Sequence, residues 1–288
     1  MKFKFCVISF ACLLSSIAFA QNFQLQQPQM RLPRNAAIGG AVFGTFGDGA
    51  TRTSVATLRD YGAIGGFAYA TDLRPFSTLG GRVSGFIADS AILASIGIAV
   101  NSDGTPTVAV EGWTRAGIGY LTGSQDDVAR FYIPVLLVVE GNAATADNPN
   151  QYPVRGRIGA RLEPGILMAS SSVVGGSVRT LIVSGIAGFS AIGTDGLNPS
   201  GALADIGLRM RTFFDSQLHG ESRGISFAGE VEYTYGIPLS GAPGVQSMNS
   251  LLYLGLNNAI TVHAGVRVNR QGELTEIIPN AGVGYRAR

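Results

Sequence analysis

Fourteen charged side chains and one histidine recur on alternate positions of a few short segments, and this spacing is the sequence's main chemical signal. Arg155, Arg157, Arg161 and Glu163 alternate with Gly156, Ile158, Ala160 and Leu162. Asp205, Arg209 and Arg211 oppose Ala204, Ile206, Leu208 and Met210. Glu230 and Glu232 oppose Phe227, Val231, Tyr233 and Tyr235. His263 and Arg267 oppose Val262, Ala264 and Val266. Glu111 and Arg115 share a face with Trp113, opposite Val110, Ile118 and Tyr120. Glu276 and Arg286 oppose Ile277, Ala281, Val283 and Tyr285. Arginines and carboxylates brought into one enclosed space have two uses. Paired, they fill that space and rigidify it. Separated across water, they set up a transverse field that selects polar solutes. Both uses stay open at the level of sequence.

Catalytic chemistry has little support in the same residues. The two histidines are His219, in the loop-like QLHGES, and His263. Neither has a serine or cysteine placed beside it on a strand, as an activated nucleophile needs. The glycines of 38–49 (IGGAVFGTFGDG) lack the Gly-Lys-Ser/Thr ending of a phosphate loop. No zinc or calcium spacing occurs. The chain is therefore expected to be no enzyme and to need no cofactor and no metal.

The elements that position these side chains follow from the period. Strict alternation over about ten residues marks β-strands with two different surroundings. Such segments fall near 36–46, 61–71, 79–89, 91–101, 105–121, 127–140, 153–163, 177–192, 202–215, 224–237, 248–257, 259–269 and 274–287. Asn101-Ser102-Asp103-Gly104 and Asn269-Arg270-Gln271-Gly272 are tight-turn compositions between them. Longer polar links are expected at 141–152, 193–201, 216–224 and 240–247. Pro134 and Pro279 fall inside strands, where each removes a ladder donor. Segment 131–139 (FYIPVLLVV) is apolar on both faces.

Composition fixes the surroundings. Lys2 and Lys4, an apolar run from Phe5 to Ile17, and Ala18-Phe19-Ala20 have the three parts of a secretory signal peptide, expected to span 1–20. Its removal takes away both cysteines and both lysines, leaving nineteen arginines against nineteen acids. That balance gives no basic footprint for nucleic acid. Charged residues are 14% of the chain, against roughly 25% in an ordinary soluble domain. No later run of about eighteen apolar residues exists to form a spanning helix. An exported, apolar chain without spanning helices enters a membrane only as a closed barrel.

On these residues the chain resembles the bacterial outer-membrane β-barrel proteins as a broad class. The resemblance covers the signal segment and most of 36–288, and it rests on pattern rather than on a signature motif. It implies an all-β fold, a transmembrane antiparallel up-and-down barrel of about 12 strands, 10 to 14 being compatible with the length. Residues 21–35 become a periplasmic tail or a small plug. The fifteen residues above, from Glu111 to Arg286, become the lumen lining. Tyr120, Phe214, Phe227, Tyr233, Tyr235 and Tyr285 become lipid-facing aromatics. The implied location is the Gram-negative outer membrane. The implied partners are its lipid and the barrel-insertion machinery, and the chain is a possible homo-oligomer. The function expected is a porin-like passive channel for small polar solutes or ions. The alternatives are a closed structural or partner-binding barrel without conductance, and a secreted β-sandwich.

Overall fold

In the computed structural model the chain is a succession of antiparallel strands. The structure describes residues 34–49, 61–75, 85–100, 106–122, 129–144, 155–172, 177–194, 200–216, 225–256, 260–271 and 274–286. The strands are β1 (Arg34–Gly49), β2 (Tyr61–Pro75), β3 (Gly85–Val100), β4 (Pro106–Leu121), β5 (Ala129–Ala144), β6 (Arg155–Leu162), β7 (Gly165–Ser172), β8 (Ser177–Thr194), β9 (Gly201–Ser216), β10 (Ile225–Ser240), β11 (Val245–Leu256), β12 (Ile260–Gln271) and β13 (Leu274–Arg286).

Each strand pairs with its chain neighbours, except that β6 and β7 both pair with β5 and β8, and β13 pairs with β1. The β4–β5 pairing completes the ring. The sheet therefore closes on itself and leaves no edge.

β6 and β7 are two halves of one stave. Against β5, Leu162 lies opposite Val135 and Gly165 opposite Tyr132, a single unbroken register. The same holds against β8, with Leu162 opposite Ala187 and Gly165 opposite Ser184. Prolines cause the interruption. The Glu163 amide donates to the Pro134 carbonyl at 3.0 Å, and Pro134 has no N–H to return the bond. The Gly185 amide donates to the Pro164 carbonyl at 2.9 Å, and Pro164 likewise returns nothing. One rung is lost on each side of the same stave. Among the described residues the barrel thus has twelve staves, the number the chain length led us to expect.

The registers also give the stagger. Pairs lead from Ala129 through Met168, Leu181, Thr212, Gly229, Leu252 and Ala264 to Ala281. They continue through Val42, Ile64 and Ile98 to Val108, whose neighbour Ala109 faces Ala144. One circuit that starts at 129 therefore returns to β5 at 145, a shear of 16. Twelve strands with that shear tilt by about 43° and, if round, enclose a backbone cylinder about 25 Å across.

Three sequence expectations change. The segments 79–89 and 91–101 are not two strands but the single β3, because Ser90 stays in an unbroken ladder with Asp72 and Ala116. The Gly165–Ser172 half-stave was not anticipated, since GILMASSS lacks alternating charge. The link at 240–247 shrinks to 241–244, with Gly241 at φ +67°, a left-handed value that favours glycine. Pro279 stays in β13 opposite Val266, and the β13–β1 register skips Gly44 and Thr45 beside it. The expected signal segment 1–20, the tail 21–35 except its last two residues, and the links 145–152 and 217–224 lie outside the described residues.

The polarity of the barrel is inverted relative to a soluble domain. Along β5, Phe131, Ile133, Val135, Leu137 and Val139 are exposed outside, while Arg130 and Glu140 are buried inside. Along β9, Ile206 and Leu208 are exposed, while Asp205, Arg209 and Arg211 are buried. The largest fully buried side chains include four arginines, Arg115, Arg161, Arg209 and Arg211. Such a surface is stable only where the outer solvent is hydrocarbon.

Candidate functional site

β9 and β10 supply most of the charge inside the barrel. Their register sets Arg211 opposite Glu230 and Arg209 opposite Glu232, all on the inner face. Arg209 donates from Nη1 to Glu163 Oε2 at 2.8 Å and from Nη2 to Glu230 Oε2 at 3.4 Å. Arg161 donates to Glu232 Oε1 at 2.8 Å. Arg157 donates to Asp205 at 2.5 Å and, through Nε, to Ser190 Oγ at 3.1 Å. These pairs knit β6, β8, β9 and β10 into one charged wall.

Two arginines bind the far wall to it. Arg115 on β4 pairs with Glu230, and with Glu232 at 2.7 Å. Arg211 on β9 grips Asp89 on β3 with both terminal nitrogens, at 2.9 and 2.7 Å. Tyr132 on β5 donates to the same carboxylate at 2.9 Å. β4 and β10 are five of twelve staves apart, as are β3 and β9, so these contacts nearly cross a diameter. An arginine–carboxylate pair spans at most about 14–15 Å between Cα atoms. A round barrel would hold the walls about 25 Å apart. The cross-section must therefore be flattened where the two walls meet.

Apolar side chains gather at one end of the barrel. Leu73, Ile87, Leu121, Leu167, Ile182 and Phe213 point inward within five residues of the strand ends on the side where β1 begins and β13 finishes. They belong to one buried cluster with Tyr132 and Trp113. The Arg115 guanidinium lies 4.4 Å from the Trp113 ring centroid, joining the apolar layer to the network. The inward side chains of 131–139 include Tyr132, Leu136 and Val138, all buried.

The sequence-derived residues divide as follows. Arg115, Arg157, Arg161, Glu163, Asp205, Arg209, Arg211 and Glu232 are buried inside and gathered in the network, with Glu230 at 12% exposure. His263 and Arg267 are also buried inside, on β12. The side chains of Glu111, Arg155, Glu276 and Arg286 are not among those described. Tyr120, Tyr233 and Tyr235 face outward and exposed. Phe214 and Phe227 are half-buried cross-strand partners, and the Arg179 guanidinium sits 5.4 Å from the Phe214 ring. The Tyr285 side chain is outside the described set.

Sequence reasoning missed Asp89, Tyr132, Arg130 and Glu140, all buried inside. A signal for Asp89 existed: it is a lone charge between Ile87 and Ala91 on an otherwise apolar face. Dividing the strand at Ser90 hid it. The space beside two inner glycines is taken by neighbours. A Cβ on Gly236 would meet Leu203 Cδ1 at 2.7 Å, and one on Gly159 would meet Ser190 Cβ at 2.8 Å.

A closed antiparallel sheet, apolar outside and charged within, is a transmembrane β-barrel. Solved structures with which it shares a distant likeness include the β domain of the Bordetella autotransporter BrkA, at 12% identity over 87% of this chain and 99% of that one, TM-score 0.37. The translocator domain of autotransporter NalP from Neisseria meningitidis gives 12% identity over 98% and 96%, TM-score 0.35. An outer membrane channel from Pseudomonas putida F1 gives 9% identity over 92% and 100%, TM-score 0.40. No known family and no curated protein matches the sequence.

Proposed function

We propose that this protein is an outer-membrane channel held closed by the ion-pair network across its lumen, which passes small solutes only when that network parts. The observation that carries the reading is the pair of cross-lumen contacts, Arg115 with Glu230 and Glu232, and Arg211 with Asp89. Each joins opposite walls and leaves the arginine at no more than 2% exposure. An open porin keeps such charges apart and wet, so the passive pore expected from sequence is narrowed here to a gated one. The closure is local. Arg157, Arg161 and Arg209 pair within the β6–β10 wall and need not move. Among the described residues, only Arg115 and Asp89 tie the other wall to it. No catalytic role is assigned to the network, and the partners in this reading are outer-membrane lipid and the machinery that inserts barrels.

Conductance in planar bilayers tests the reading. The unaltered protein is expected to be near-silent, and Arg115→Gln to show frequent openings, because the Glu230–Glu232 side is then released. Large stable conductance of the unaltered protein would make it an open porin. Silence of a correctly folded Arg115→Gln barrel would favour the second reading, a closed structural barrel, for which the same buried network is the specific support.

A further inference from the structure

The lumen is stratified. On the side where β1 begins and β13 finishes lies the apolar layer of Leu73, Ile87, Leu121, Leu167, Ile182 and Phe213. Next to it begins the paired network, which holds five arginines and five carboxylates and is therefore neutral. Within that network the donors are in excess. Six guanidinium nitrogens on Arg115, Arg161, Arg209 and Arg211 are buried without a hydrogen-bond partner among the described residues, against three carboxylate oxygens on Glu163, Asp205 and Glu232; three of the six, Arg115 Nη2, Arg161 Nε and Arg209 Nε, are in ion contact with a carboxylate. Two of those oxygens are already in ion contact, Glu232 Oε2 with Arg115 at 2.7 Å and Asp205 Oδ2 with Arg161 at 3.7 Å. Arg115 Nε, Arg161 Nη2 and Arg211 Nε have no such contact, and their guanidinium groups are anchored through other nitrogens. Buried N–H groups of this kind need an acceptor.

From these two layers we infer that the lumen binds small monocarboxylates with an apolar body. The carboxylate takes the spare N–H groups of Arg161 and its neighbours, and the hydrocarbon lies toward Trp113 and the buried apolar cluster to which it belongs. Each layer excludes a class of competitor. A hydrated inorganic anion gains nothing from the apolar layer to offset its lost water. A dianion adds a second charge to a site already neutral within itself. A neutral apolar molecule leaves the guanidinium donors unanswered. The inference rests on the reading of the lumen as a solute path and names the solute class for it.

Trp113 is the chain's one tryptophan, belongs to the buried apolar cluster and carries the Arg115 guanidinium over its ring, so its emission reports occupancy. The folded, detergent-solubilised full barrel is titrated with hexanoate, hexanamide and acetate. Hexanoate is expected to give a saturable change. Hexanamide lacks the charge and acetate the body, and each is expected to bind at least about tenfold more weakly, the factor that one lost charge-assisted contact or a few buried methylenes carries. Arg161→Gln, verified as folded by heat-modifiable migration, should weaken hexanoate by a similar factor, and Arg161→Lys should recover part of it. Equal responses to hexanoate and hexanamide would overturn the inference, and that comparison needs no variant. An unchanged hexanoate affinity in Arg161→Gln would overturn it too. Conductance separates the two readings: openings of Arg115→Gln without hexanoate binding sink the solute class alone, and hexanoate binding without any openings sinks the channel alone.

Discussion

Asp89 shows how strongly one residue depends on its partners here. Its two oxygens accept from both terminal nitrogens of Arg211 and from Tyr132. Arg211→Ala leaves a buried carboxylate with a single neutral donor, and we expect a loss of about 3–5 kcal/mol. Asp89→Asn combined with Arg211→Met removes both charges and should recover most of that loss. Urea unfolding from lipid vesicles measures all three proteins. A single mutant as stable as the parent would show that water, not protein, solvates this pair. The alternation of charge by itself places Arg209 with Arg211, and Glu230 with Glu232, on one face of their strands, since period two is a property of the strand itself. Which arginine meets which acid was not legible. Arg211 and Asp89 lie 122 residues apart, and only closure of the sheet brings them together.

Elements carry their own predictions. Leu208 sits on the outer face of β9 near mid-height and is 67% exposed to the surrounding solvent. In a bilayer, Leu208→Arg should cost about 2–4 kcal/mol, whereas Ile260→Arg, at the first residue of β12, should cost about 0–1 kcal/mol. Folding equilibria into vesicles give both values, and equal costs would place the membrane elsewhere on the barrel. The proline pair in the β5–β8 region behaves differently. Pro164→Ala returns one N–H to the ladder, worth about 0.5–1.5 kcal/mol, and forfeits the proline's restraint on the unfolded chain, worth about 0.4–1 kcal/mol. Net stability should therefore change by under about 1 kcal/mol. Hydrogen exchange should nonetheless find the new amide protected, and fast exchange there would mean that the stave is broken for reasons other than the missing donor. Strand existence was largely legible because most staves alternate charge with hydrocarbon. β7 was not, because GILMASSS alternates nothing ionic and its pairing is decided by the register of β5 and β8.

For the molecule as a whole, closure is the decisive property. Removing β13 by truncation after Gln271 takes away the pairing to both β1 and β12 and leaves two bare edges. Such a chain is expected to give no heat-modifiable band in detergent gels, since an open sheet exposes unpaired backbone to lipid. A stable compact band would mean that the remaining staves re-close at lower number. The sequence by itself determined the class: alternation, the shortage of charge and the lack of any spanning helix leave a barrel as the arrangement that satisfies every backbone donor in a membrane. It also determined which side chains turn inward, because inward and outward differ by a single residue step. Only the tertiary structure decided that the barrel has a shear of 16 and that its charged interior is paired across a flattened lumen. The physical reason is that local period fixes a face, whereas distance across a lumen depends on tilt, stagger and the cross-section of the closed sheet, which no short stretch of sequence contains.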